Sequence, residues 1–127
     1  MIQALVDRFM KKKKLIAKAF EDHPSHYINI VEAVVSAISE ESPDCDLDYS
    51  RIHEICNGGY KGELLYIIPS KYSRAKYWFV IINYGSCSGC DTLKAIRKYE
   101  YGKPSKNQVK DYMTLALHIV QGLKVLE

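Results

Sequence analysis

Two apolar runs place the strongest constraint on what this chain can fold into. They occupy residues 64–68 and 77–82, inside the segments 62–68 and 77–84. Both are short, rich in β-branched and aromatic side chains and flanked by turn-forming residues, which is the pattern of β-strands. Because no polar residue interrupts either run, we expect both faces of the sheet to be covered, here by helices.

A third strand is predicted just before these two. Residues 51–56 form a short segment rich in Ile, and Asn57-Gly58-Gly59 follows it. Asn-Gly supplies the positive φ angles of a tight hairpin turn. With residues 69–76 as the next loop, the sequence predicts a three-stranded antiparallel β-meander.

Helical patterns lie on either side of the meander. Apolar residues recur at helical spacing over 2–20, and a second helix is expected to about Ser39, with Ser25 as its N-cap. Asp91 can cap a short helix to about Lys98, and Ser105 can cap a last helix with a clean apolar face. The predicted fold class is α+β, with the sheet packed against N-terminal and C-terminal helices.

The chain has the length of one domain. Its 127 residues divide into a helical hairpin (1–39), an acidic linker (40–48) and the sheet with the C-terminal helices (49–127). No apolar run approaches the roughly 18 residues of a membrane span, and Lys11 to Lys14 interrupt the N-terminus, which is unlike a secretory signal. We therefore expect a cytoplasmic protein without a membrane partner.

Charge is distributed unevenly along the chain. The net charge is +5 over residues 1–20, −8 over 21–54 and +6 over 55–127, which together give the overall +3. The simpler interpretation is that the acidic middle segment and the basic ends attract one another within the protein. The alternative is that they form two separate charged surfaces. The overall basic excess is smaller than that of most dedicated nucleic-acid binders.

The segment from Tyr84 to Asp91, Tyr-Gly-Ser-Cys-Ser-Gly-Cys-Asp, carries the densest chemistry. A thiol-redox site is one interpretation, but two strands and a cis-proline of the thioredoxin pattern are missing downstream. Cys87 and Cys90 could instead form half of a zinc site, with the other candidates scattered at Cys45, His53, Cys56 and His118. The glycines and serines could form an anion loop, although Asp91 would repel phosphate. The fourth interpretation is structural, with small residues allowing a sharp turn and reduced cysteines packing as small apolar groups.

The stretch Tyr-Gly-Ser-Cys-Ser-Gly-Cys-Asp-Thr-Leu over residues 84–93 also carries a resemblance. Together with Gly-Tyr-Lys-Gly at 59–62 and Asp-Tyr-Met-Thr-Leu-Ala-Leu-His at 111–118, it resembles a family of small uncharacterised proteins encoded by phages and other viruses. The resemblance covers residues 51–124 and leaves out the first two helices. It implies a viral accessory protein, of a kind that often acts by binding a host component or defence factor. No established activity or catalytic residue can be carried over from that family.

Tyrosine and basic residues supply the candidate contact groups. Ten tyrosines are many for this length, and tyrosine is favoured at protein interfaces. The candidate binding residues are Tyr84, Ser86, Cys87, Ser88, Cys90, Asp91, Tyr99 and Tyr101. Basic residues around Tyr99 and Tyr101 suggest nucleic-acid binding as an alternative, in which cations contact phosphates and aromatic rings stack on bases. They are Lys94, Arg97, Lys98, Lys103 and Lys106, and Lys71 and Arg74 could extend the patch.

The sequence therefore predicts a small non-enzymatic binding protein with no cofactor. Its expected partner is another protein, and a second copy of the same chain would also fit this description. The alternatives are a zinc-binding or thiol-redox protein that uses Cys87 and Cys90, and a nucleic-acid-binding module.

Overall fold

The structure is a computed structural model that describes residues 2–42, 45–58, 61–85, 91–98 and 102–126. Five helices and four strands are assigned in these ranges. The helices are α1 (Ile2–Lys11), α2 (Lys13–Lys18), α3 (Tyr27–Ile38), α4 (Thr92–Arg97) and α5 (Lys106–Gly122). The strands are β1 (His53–Gly58), β2 (Gly62–Pro69), β3 (Tyr77–Tyr84) and β4 (Lys124–Leu126), and a single 3₁₀ turn (Tyr49–Arg51) precedes β1. The predicted α+β class is confirmed.

The sheet is antiparallel with the strand order β1-β2-β3-β4, so it has one strand more than the predicted meander. The fourth strand pairs Lys124 with Phe79 and Leu126 with Tyr77. Three residues after a long helix carry too little local pattern to predict a strand. Pairing with β3 gives the backbone N–H and C=O groups of residues 124–126 hydrogen-bond partners directly after α5 ends.

The β1–β2 hairpin turns later than predicted. Asn57 pairs with Glu63 and Gly58 pairs with Gly62, so Asn57 and Gly58 belong to β1 and not to the turn. The two glycines allow the strands to approach closely at this point. A Cβ atom on Gly62 would collide with the backbone carbonyl of Asn57.

Three other local predictions need correction. Residues 2–20 were predicted to form one helix, but they form α1 and α2, with a break at Lys12. One continuous helix would place lysine side chains on the buried side of the apolar stripe. His26, not Ser25, is the N-cap of α3, and its backbone N–H donates to the side chain of Asn29. The predicted acidic linker packs into the protein at its end, where Leu47 is fully buried and forms a β-bridge with Ser70.

The core lies between the helices and one face of the sheet, which we call the inner face. Helices α1, α3 and α5 pack against one another, and α5 contacts β3. Trp78, Tyr66 and Ile68 are fully buried on the inner face. Because side chains alternate along a strand, the residues between them point to the opposite, outer face.

The expectation that both faces are covered is wrong. On the outer face, Ile55, Tyr77, Ile81 and Leu126 remain 50%, 40%, 53% and 61% exposed. The helices lie together on the inner side, so the apolar residues of the outer face keep contact with solvent. An apolar run alone cannot distinguish a doubly covered strand from a strand with one uncovered apolar face.

A buried ion pair closes the end of the sheet at the β2–β3 loop. Lys76 Nζ lies 3.6 Å from Asp46 Oδ1, and their side chains are only 12% and 6% exposed. Ser70 Oγ donates to Asp46 Oδ2 at 2.5 Å and accepts from the backbone N–H groups of Tyr72 and Ser73. The lysine also lies over the ring of Trp78, 4.5 Å from its centroid.

We expect Lys76→Met to lower the free energy of unfolding by about 3 kcal/mol, because the Asp46 carboxylate would stay buried without its counter-charge. Chemical denaturation at pH 7 measures this loss. Lys103→Met is the matched control, since Lys103 and Asp22 form a pair whose side chains are 75% and 83% exposed. It should cost well under about 1 kcal/mol. Equal losses in the two variants would contradict the role of burial.

Candidate functional site

Two of the predicted binding residues, Tyr84 and Asp91, lie in the described part of the chain. The others, Ser86, Cys87, Ser88, Cys90, Tyr99 and Tyr101, lie outside the described residues. The interpretations of Cys87 and Cys90 as a zinc or redox pair therefore remain predictions.

Tyr84 and Asp91 border an open cleft of about 730 Å³ on the inner side of the sheet. This volume falls within the range of small-ligand sites. Its walls come from the start of α3, the hairpin-side ends of β1–β3 and helix α4. The lining includes Pro24, His26, Tyr27, Glu54, Cys56, Leu64, Tyr84, Asp91, Leu93, Lys94 and Arg97.

Asp91 is the centre of the polar network on one wall of the cleft. It is 6% exposed, and its carboxylate accepts from the backbone N–H groups of Gly85 at 2.8 Å and Lys94 at 3.0 Å. The bond to Lys94 is the predicted N-cap of α4 and is confirmed. Tyr27 Oη donates to the same carboxylate at 3.0 Å and accepts from the backbone N–H of Leu93 at 3.1 Å.

This network holds together the two residues that flank the Cys-containing segment. Lys94 Nζ donates to the Gly85 carbonyl at 3.2 Å, so Gly85 and Asp91 are joined through both backbone and side-chain groups. Asp91 is therefore engaged in structural hydrogen bonds. Its position in the cleft is a consequence of the α4 cap.

Two further side-chain pairs, each with at least one member lining the cleft, were missed by sequence reasoning. Tyr84 Oη lies 3.2 Å from Cys56 Sγ, and the pKa of Tyr84 is raised, first by this hydrogen bond and then by burial. Tyr66 Oη donates to Glu54 Oε2 at 2.6 Å, and burial followed by this bond raises the pKa of Tyr66. Each pair joins residues of different strands, so only the strand register could reveal it.

Two of the basic residues in the nucleic-acid alternative already have partners within the chain. Lys94 donates to Gly85 and Lys103 pairs with Asp22 at 3.0 Å. Lys71 and Arg74 follow β2 and Tyr84 ends β3, so the predicted extension of the patch lies at the opposite end of the sheet from α4. An eight-residue strand separates these ends by about 23 Å.

Among the described residues, no group of three or more His, Cys, Asp or Glu side chains could hold a metal ion. His53 and Cys56 lie three residues apart in β1, so they point to opposite faces of the sheet. Cys45 is buried and Cys56 is exposed. Likewise, no described helix is long and apolar enough to cross a membrane.

The outer face of the sheet is the largest feature that sequence reasoning missed. Register places Ile55, Leu65 and Ile81 side by side in one row across three strands. The next rows hold Ile67 beside Phe79, and Tyr77 beside Leu126. The apolar members of this outer face are Ile55, Leu65, Ile67, Tyr77, Phe79, Ile81 and Leu126.

Comparisons with known proteins give no further guide to either surface. No protein-family model, curated protein or solved structure matches the chain.

The two surfaces differ in what they can do. The polar groups along the cleft bond to one another and hold α3, α4 and the strand ends together. The outer face presents contiguous apolar side chains, of which Ile55, Tyr77, Ile81 and Leu126 are exposed. A contiguous exposed apolar patch is typical of an interaction site.

The Tyr27 network predicts how stability changes at alkaline pH. Burial, followed by the bond to Asp91, raises the pKa of Tyr27 from 10.0 to about 12. The raised value means that the folded state holds the proton more tightly than the unfolded state. Its contribution is therefore complete below pH 10 and is lost as the pH rises from 10 through 12.

We expect the unfolding free energy of the parent protein to fall by about 1.4 kcal/mol more between pH 8 and pH 11 than that of Tyr27→Phe. The variant lacks the ionising hydroxyl but keeps every other titrating group. Denaturant unfolding of both proteins at the two pH values measures the difference. Identical falls would show that the Tyr27 hydroxyl is not held in its protonated form.

Proposed function

We propose that this chain is a small non-enzymatic binding protein that acts by protein–protein contact through the outer face of its sheet. One observation carries the proposal: the helices cover only the inner face, so Ile55, Tyr77, Ile81 and Leu126 remain 40–61% exposed on the other. Burying apolar area of this kind against a partner is favourable by about 25 cal/mol per Å². An open sheet face of aliphatic and aromatic residues suits a protein surface better than a small ligand.

The biological setting is part of the proposal and is supported by sequence alone. The segments 59–62, 84–93 and 111–118 resemble the phage and virus family. This resemblance supports a viral accessory protein, acting in the host cytoplasm on a host or defence factor. An inhibitor of that kind works by occupying a surface, which requires no catalytic group.

The two alternatives remain predictions with their own tests. Replacing Cys87 and Cys90 by Ser should abolish metal or redox behaviour if the zinc or thiol alternative holds. Charge reversal at Lys94, Arg97 and Lys98 should abolish salt-sensitive retention on DNA or RNA if the nucleic-acid alternative holds.

We expect Ile81→Lys to weaken protein association of this chain at least about tenfold, because it places an ammonium group at the centre of the outer face. Leu15→Lys is the matched control. Leu15 is 54% exposed and Ile81 is 53% exposed, but Leu15 lies on α2, away from the sheet. Because both sites are half open to water, neither change should unfold the protein.

The measurement has two parts, so that any protein partner is counted. Tagged parent and variant proteins capture proteins from a lysate of the host cell, quantified by mass spectrometry, and sedimentation velocity records self-association. If Ile81→Lys and Leu15→Lys retain the same amount of captured protein and the same self-association, the proposal is contradicted.

A further inference from the structure

The outer face carries full charge at two strand positions, one of each sign. Glu63 lies on β2 beside Asn83, and Lys124 lies on β4 beside Phe79. Both side chains are exposed and both point to the same side as the apolar residues. In one chain they are too far apart to pair, because two strand spacings and four residues separate them by about 16 Å.

These two charges are symmetric about one residue. Lys124 is one strand to one side of β3, at the level of Phe79, and Glu63 is one strand to the other side, at the level of Asn83. The midpoint between them is therefore Ile81, which is 53% exposed. A two-fold axis through Ile81, lying parallel to the sheet, would place each Lys124 on the Glu63 of another copy.

We infer that the occupant of the outer face is a second copy of this chain, packed face to face about a two-fold axis through Ile81. This inference rests on the proposed function, because it names the partner of the same surface. Self-complementarity is what an isologous contact requires, since each patch must match itself after rotation. Glu63 and Lys124 supply such a match, because this axis exchanges their positions.

The same axis also matches the apolar residues. On the flat grid defined by the strand register, Ile81 meets its own copy, Leu65 meets Phe79, and Ile55 meets Ile67. The strands of the two sheets would cross at about 70°, close to the orthogonal class of sheet packing. The basic β2–β3 loop would extend past the edge of the other sheet, so its cations would not meet their copies.

The size of the face predicts a dimer of moderate strength. The four strands contain 6, 8, 8 and 3 residues, which correspond to a flat footprint of about 400 Å² per chain. Two fully overlapping copies would cover about 800 Å² of flat area, and protruding side chains raise the buried total towards about 1,000 Å², the lower limit of specific interfaces. We therefore expect a dissociation constant in the micromolar range, of order 1–100 μM.

A charge exchange tests the arrangement. Sedimentation velocity of the purified protein from about 1 to 200 μM, at pH 8 and low salt, should show a monomer–dimer equilibrium. Glu63→Lys and Lys124→Glu should each weaken the dimer about tenfold, because each change creates two like-charge contacts across the axis. The double variant Glu63→Lys/Lys124→Glu should return to within about threefold of the parent. Rescue cannot arise inside one chain, because the two residues are about 16 Å apart there.

Controls separate failure of this inference from failure of the proposed function. Thermal unfolding confirms that each variant is folded. Over the same concentration range, Ile81→Lys should be monomeric, whereas Leu15→Lys should dimerise as strongly as the parent protein does. A parent that is monomeric throughout, a dimer insensitive to Ile81→Lys, or a double variant without rescue would each overturn the second-copy inference. If the parent is monomeric but captures another protein in a manner that Ile81→Lys abolishes, the proposed function stands and only the inferred partner is wrong.

Discussion

The antiparallel pairing of β2 with β3 is the interaction on which the rest of the structure depends. Eight residue pairs, from Gly62 with Tyr84 to Pro69 with Tyr77, set which side chains share a face. A shift of one residue in either strand would move its side chains to the other face. A shift of β2 would remove Tyr66 and Ile68 from the core, and a shift of β3 would remove Trp78 and bring in Ile81.

Buried polar groups lie at both ends of the paired strands β2 and β3. At the β2–β3 loop, Lys76, Asp46 and Ser70 form a buried cluster. At the other end, the Asp91 network ties Gly85 to the starts of α3 and α4. A buried polar group is costly unless it is hydrogen-bonded, so these clusters specify where the chain leaves the sheet. Most of the polar groups that line the cleft therefore stabilise the fold through hydrogen bonds to one another.

One-sided coverage of the sheet gives the protein its most informative surface. The helices gather over the inner face because their own apolar stripes need a common core, which leaves the outer face of the same two apolar strands open to water. An apolar face that stays exposed lowers solubility unless a partner covers it. This physical pressure is the basis of the proposed binding role.

Local pattern was enough to predict the elements whose determinants lie within a few residues. The apolar runs predicted β2 and β3, and the caps at Asp91 and Ser105 predicted the starts of α4 and α5. These succeed because strand propensity and capping act over two to four residues. The break at Lys12 and the cap at His26 were missed, because neighbouring positions offered equally good local chemistry.

The chain's sequence by itself determined the α+β class, its central strands and the caps of its last two helices. Only the tertiary structure decided that β4 joins the sheet, that Cys56 meets Tyr84, and that Glu63 and Lys124 flank Ile81 on an open face. These facts depend on strand register and on which side the helices pack. Both are set by contacts between residues far apart in the chain, and no local window of sequence contains them.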